Sequence, residues 1–281
     1  MHLKTKISLI ISIISTLFYF SALKADIKVV TSIKPIHSLV SYVMDGVGTP
    51  DLIVDGYNSP HGFSLKPSHA KMLQEADIVI YVGEGLEEFL EKPLQSLSQN
   101  AVKFELLKQS GMKKLKFRER NIFEGHDDHD DHGHGKKKKN DHDDHDHDKK
   151  AKKEGHDDHG HDDHGHGHGE FDPHIWLDPM NAKIIVKKIT NQLSKLDKEN
   201  SSTYKSNSKK ALKEIDNLIK QVKLNINKDS KIVVFHDAYQ YFEKRFDVNI
   251  IGALTVNTDV LPGAEQLAEI REVIEHEKVT C

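Results

Sequence analysis

The stretch "DIVIYVG", Asp77–Gly83, decides the fold. From Ile78 to Val82 it runs apolar without alternating, so both of its faces must be covered. It is too short for a helix of ordinary length and stops at a glycine, so it reads as a buried strand. Strands covered on both faces belong to parallel sheets, whose crossovers are helices. The flanking sequence repeats that alternation.

Upstream, "DIKVVTSI" (26–33) reads as a second buried strand and "KPIHSLVSYVMDG" (34–46) as a helix opened by Pro35 and closed by Gly46. "DLIVDG" (51–56) is a strand and "SHAKMLQEA" (68–76) a helix, with Ser64 or Ser68 as candidate N-cap. Downstream, "LEEFLEKPLQSL" (86–97) predicts a helix with a kink at Pro93, and "AVKFELL" (101–107) a strand. Strands alternating with helices predict an α/β fold with a parallel sheet.

Beyond a break, "DPMNAKIIVKKITNQLSKL" (178–196) spaces Ile184, Ile185, Ile189 and Leu193 as a helix would. "STYKSNSKKALKEIDNLIKQVKLNI" (202–226) predicts a second helix of about 24 residues, roughly 36 Å long, enough to link two lobes. A new α/β unit follows: strand "KIVVF", helix "DAYQYFEKRF", strand "VNIIGAL" and helix "GAEQLAEIREVIEHEKV". Two strands and two helices are too few to close a lobe, and the last helix calls for a following strand. The pattern therefore predicts a second lobe cut short at its C-terminus. The expected organisation is a first lobe over 26–200, a linking helix over 201–227 and a partial second lobe over 228–281.

The first 25 residues are of another kind. Lys4 and Lys6 precede an apolar run, Ile7 to Phe20, and Ala25 supplies a small residue at a cleavage position. The run is shorter than the roughly 20 residues of a membrane span. A cleaved export signal is predicted rather than a membrane anchor. The single cysteine, Cys281, is not at the cleavage site, which argues against a lipid anchor.

Residues 124–170 form an insertion of His, Asp, Lys and Gly. It holds thirteen histidines: His126, His129, His132, His134, His142, His145, His147, His156, His159, His161, His164, His166 and His168. Fifteen acidic residues outnumber eight lysines between Gly125 and Glu170, while the whole chain has a net charge of −4. No basic face suited to nucleic acid is left. With almost nothing apolar to bury, the insertion is expected to be disordered. Its imidazoles and carboxylates can wrap metal ions, weakly, because each event must order the chain. A tether beside a sharper site would make it a local collector.

Outside the insertion and the signal, six histidines remain: His37, His61, His69, His174, His236 and His276. His61, His174 and His236 sit where loops meet regular elements, and ligand sites of open α/β sheets gather beyond the carboxyl ends of strands. Three imidazoles suit Zn²⁺, with a carboxylate or water as fourth ligand. The other three are expected to be structural (His37), exposed or capping (His69) and on a solvated helix face (His276). Asp172 and Asp178 flank His174, and Asp237 follows His236. Each either accepts the free N–H of a ligating histidine or caps a turn or helix. A secreted zinc hydrolase would want an open metal position and a general base. Neither H-E-x-x-H nor a serine or cysteine nucleophile elbow occurs, so no enzyme is predicted.

"NSPHGFSLKPSHAKMLQEADIVIYVGEGLE", "DPHIWLDPMNA", "VVFHDAYQYFEKRF" and "TVNTDVLPGAEQLAEIREVIEHEKVTC" occur in this order. Together they resemble the zinc-binding proteins of bacterial ABC uptake systems, the ZnuA type of the metal-binding cluster A-I family. The resemblance spans Asp26 to Cys281. It implies two α/β lobes joined by one long helix, with metal held between them by His61, His174 and His236. It further implies a monomer in the periplasm that binds Zn²⁺ and serves a membrane permease and its ATPase. Manganese-binding relatives, some of them adhesins, carry a carboxylate where this chain has His236, and imidazole favours zinc over manganese. Some zinc members place a Glu before the first histidine, where this chain has Pro60. A further Asp ligand and a disulfide partner for Cys281 would lie past the last residue of this sequence. A ligating histidine must be neutral, so affinity is expected to fall below about pH 6.5.

Overall fold

The computed structural model describes residues 26–83, 85–118, 120–123, 169–256 and 262–281. The predicted export signal and nearly all of the predicted disordered insertion, with its thirteen histidines, lie outside these residues. The described chain divides into two compact units.

The first unit holds the chain up to Lys113 together with Ile175–Leu224. Its sheet has four strands, β1 (Val29–Ile33), β2 (Asp51–Val54), β3 (Ile78–Tyr81) and β4 (Val102–Glu105), in the order β2-β1-β3-β4. Every pair is parallel, with Val30 beside Val79 and Ile80 beside Phe104. The opening stretch is thus a central strand. All residues of β1 and β3 are buried, whereas the outer strands expose Asp51 and Lys103. Burying an Ile such as Ile78 or Ile80 contributes about 2 kcal/mol.

Helix α1 (Lys34–Met44) turns Ile36, Val40, Val43 and Met44 inward, a stripe at helical spacing. Helix α2 (Pro67–Glu75) opens on Pro67, with Lys66 rather than either serine at the N-cap. The predicted helix 86–97 is split. A 3-10 turn, Glu88–Leu90, precedes α3 (Glu91–Ser96), and Pro93 falls in the first turn of α3, where its missing N–H costs nothing. Helix α4 (Pro179–Leu196) packs against α1 and buries Ile185, Val186, Ile189 and Leu193. Helix α5 (Ser201–Asn225) buries only its first half, Tyr204 to Ile215, and leaves Leu218 and Leu224 exposed. The Asn207 amide caps the end of α1 through the carbonyls of Val43 and Asp45.

The second unit runs from Lys114 to His174 and from Asn225 to Cys281. Strands β5 (Lys231–His236) and β6 (Asn249–Thr255) are parallel, accompanied by α6 (Gln240–Phe246) and α7 (Ala264–His276). Residues on both sides of the insertion belong here, although the sequence pattern puts them in the first lobe. Lys116 and Phe171 form an antiparallel bridge, as do Ile122 and Gly252. The Phe123 amide donates to the Ile251 carbonyl and the Ala253 amide to the Asn121 carbonyl. Gly252 allows this close approach: a Cβ there would lie 3.0 Å from the Asn121 carbonyl oxygen. Along β5, the Thr280 amide donates to the Lys231 carbonyl and the Val233 amide to the Cys281 carbonyl. The contacts therefore divide the chain after Lys113, His174 and Leu224, where the sequence pattern suggests boundaries at 200 and 227.

Candidate metal centre

Two of the three predicted ligands belong to the second unit, and it brings them together. His236 is the last residue of β5, at the carboxyl end of the parallel pair, in register with Thr255. His174 ends the segment that follows the insertion and is 5% exposed. Their Nε2 atoms are 3.4 Å apart and their rings meet nearly edge to face, at 67°. Two nitrogens sharing a tetrahedral Zn²⁺ at about 2.05 Å would be separated by about 3.3 Å. The pair already has the spacing of one edge of such a site.

Asp172 decides which nitrogen of His174 is available. Its Oδ1 accepts from the His174 backbone N–H at 2.9 Å and contacts Nδ1 of the same residue at 2.7 Å. A carboxylate only accepts, so the proton of the neutral ring sits on Nδ1 and the Nε2 lone pair faces His236. Asp172 is itself held. Its amide donates to the Leu115 carbonyl, and its carbonyl accepts from the Tyr241 hydroxyl at 2.8 Å. The same hydroxyl accepts from the Leu115 amide at 2.9 Å.

The other two carboxylates do different work. Asp178 caps α4 by accepting from the Met180 amide at 2.8 Å. Asp237 accepts from Arg118 Nη1 at 3.0 Å, and the other amino group of Arg118 reaches Glu243. The Arg118 guanidinium also lies 3.8 Å from the centre of the Phe123 ring. Burial raises the Asp237 carboxyl to about 6, Arg118 pulls it down, and Asp172 and Glu243 add to the rise. With Asp237 so engaged, α6 begins at Gln240 rather than at the predicted Asp237.

His61 belongs to the first unit, on the loop from β2 to α2, half-buried, with its amide donating to Ser59 Oγ at 3.1 Å. Gly56 and Gly62 turn this loop at φ +62° and +67°, a region closed to most side chains. The remaining histidines serve locally. His37 Nε2 contacts the Pro50 carbonyl at 3.0 Å, and His276 is exposed beside Glu277. His69 is buried rather than exposed, and it caps α2.

Glu87 is a buried acid that the sequence pattern does not mark. Glu87, 1% exposed, accepts from Ser32 Oγ at 2.6 Å and from the amides of Val82 and Gly83 at 3.1 and 2.9 Å. Burial raises its carboxyl to about 7 against the pull of these donors, and Glu105 adds to the rise. Nothing in "GEGLEEFLE" separates this glutamate from its neighbours.

Known proteins resemble this chain in sequence and in fold. A high-affinity zinc uptake system protein ZnuA of Brucella abortus is 44% identical over 255 residues, 90% of this chain and 75% of that protein. Among solved structures, a Zn(II)-bound variant of AdcAII from Streptococcus pneumoniae shares the fold, with a TM-score of 0.64 and 23% identity over 90% of this chain and 78% of that one. A Mn-bound periplasmic metal-binding protein from Candidatus Liberibacter asiaticus is equally alike in fold, with a TM-score of 0.63 and 18% identity over 90% of this chain and 77% of that one. The fold alone thus does not choose between the two metals. The profile of the family described as "ZnuA: Zinc-uptake complex component A periplasmic" matches residues 29–281, and the chain belongs to that family.

Proposed function

We propose that this chain captures Zn²⁺ in the periplasm and delivers it to an inner-membrane ABC permease driven by its ATPase. It acts as a monomer, and the chemistry is reversible coordination with no covalent bond made or broken. The ligands are His61, His174 and His236. The observation that carries this reading is the 3.4 Å separation of the His174 and His236 Nε2 atoms, with Asp172 engaging the other nitrogen of His174. His61 adds a third imidazole, from the loop after a parallel strand. An all-imidazole set selects zinc over manganese, for which a carboxylate is the better donor. The histidines of the insertion form a weaker class of sites that collects the ion nearby.

Competition for zinc between the full chain and a strong chelator tests this, because only the tightest site then fills. His61→Ala, His174→Ala and His236→Ala should each weaken that site by more than the roughly 10–100-fold expected for an outer hydrogen-bond partner. Undiminished tight binding in all three variants sinks the reading.

A further inference from the structure

The loop that carries His61 has a built support within the first unit. Phe63 stands between two rings: His69, centroids 5.6 Å apart at 29°, and Phe89, centroids 5.1 Å apart at 59°. His69 is 5% exposed and is the third residue of α2. Its Nδ1 accepts the Lys66 backbone N–H at 3.1 Å. Glu or Gln usually reaches back from this position to the N-cap amide. An imidazole makes the same bond and also lays a ring against Phe63. On the other side, Phe89 belongs to the 3-10 turn that follows Glu87. The hydrogen bonds of Glu87 to Ser32, Val82 and Gly83 tie that turn to the carboxyl ends of β1 and β3.

We infer that His69 is a positioning residue for His61: it clamps Phe63, two residues beyond the ligand, and so holds the ligand loop ready before the ion arrives. The inference rests on the reading of His61 as a zinc ligand. His69 is not itself a ligand. With Nδ1 committed to the Lys66 amide, the neutral ring carries its proton on Nε2 and has no lone pair to offer. Burial and the nearby Lys66 charge lower its pKa, Asp55 acts in the opposite sense, and the ring stays an acceptor. The benefit of the clamp is entropic. A loop turned at two glycines has much freedom, and ordering it at the moment of binding would be subtracted from affinity.

The test is a double-mutant cycle on the full chain, read as tight-site zinc affinity by chelator competition and as the Tm of the metal-free chain. His69→Ala should lower affinity by about 10-fold, the scale of an outer-shell loss. His69→Gln keeps the cap and His69→Phe keeps the ring, so each should recover part of it; these two decide the matter if His69→Ala does not fold. In a His61→Ala background, the same changes should alter affinity by less than about 2-fold, since there is no ligand left to position. A fall in Tm with unchanged affinity overturns the inference, as does an equal loss of affinity in both backgrounds. If His61→Ala costs nothing, the ligand reading itself fails and takes this inference with it.

Discussion

Asp172 engages both the backbone N–H and the Nδ1 of His174 through one oxygen, at 2.9 and 2.7 Å, and is 1% exposed. Its Oδ2 is buried without a hydrogen-bond partner among the described residues, so the carboxylate depends on the two bonds that Oδ1 makes, because burying such a group unpaired costs several kcal/mol. It sets the tautomer of His174 and makes Nε2 a better donor to a metal. Asp172→Ala should therefore weaken tight zinc binding by about 10–100-fold. Asp172→Asn, which can still accept from Nδ1 but lacks the charge, should fall between Ala and the parent. Chelator competition measures both, and equal affinity for Ala and the parent would remove Asp172 from the site.

Gly252 faces the Asn121 carbonyl, which the Ala253 amide and β6 hold in place. Gly252→Ala would force a Cβ to within 3.0 Å of that oxygen, and a backbone neighbour yields less readily than a side chain. Overpacking of this kind costs about 1–3 kcal/mol. Urea unfolding of the metal-free chain should show the loss, and an unchanged midpoint would mean that residues 121–123 do not pair with β6.

"DIVIYVG" is legible because a strand covered on both faces needs no partner to be recognised: its apolar run is the signal. Of the three ligand candidates, His174 and His236 stand where loop meets regular structure, whereas His61 lies well inside the loop from β2 to α2. The pairing of residues 116 and 122 with Phe171 and Gly252 is not, since single bridges carry no periodicity. Asp172, Asp178 and Asp237 are alike in local sequence. Only what the fold sets opposite each of them, an imidazole, a helix amide or Arg118, separates their roles. For His69 the sequence leaves exposure and capping open: the cap onto Lys66 is what forms, and the burial against Phe63 is not legible.

Glu87 makes stability depend on pH. Its carboxyl is raised from 4.5 to about 7 in the folded chain, chiefly by burial. A raised acid contributes stability that is complete below the unfolded value and is lost as pH rises through the folded value. The window is therefore from about 4.5 to about 7. Over it, the stability of the parent relative to Glu87→Gln should fall by on the order of 3 kcal/mol. Urea titrations of both metal-free proteins at several pH values across that window measure the difference, and a constant gap would show that Glu87 does not titrate there.

Tyr241 offers the last test, because it separates holding the site from forming it. Its hydroxyl takes the Leu115 amide and gives to the Asp172 carbonyl, so it pins the backbone on which Asp172 and His174 stand. The side chain is 1% exposed, and water cannot readily replace the bonds. Tyr241→Phe leaves the part-buried Leu115 amide and the buried Asp172 carbonyl each short of a partner, at up to about 1–3 kcal/mol for the buried group. The metal-free chain should lose stability on that scale. Zinc affinity should fall as well, but by less than in Asp172→Ala, since the carboxylate still engages Nδ1 of His174. The comparison of the two variants is decisive. A larger affinity loss for Tyr241→Phe than for Asp172→Ala would place the critical interaction in the backbone clamp rather than in the carboxylate.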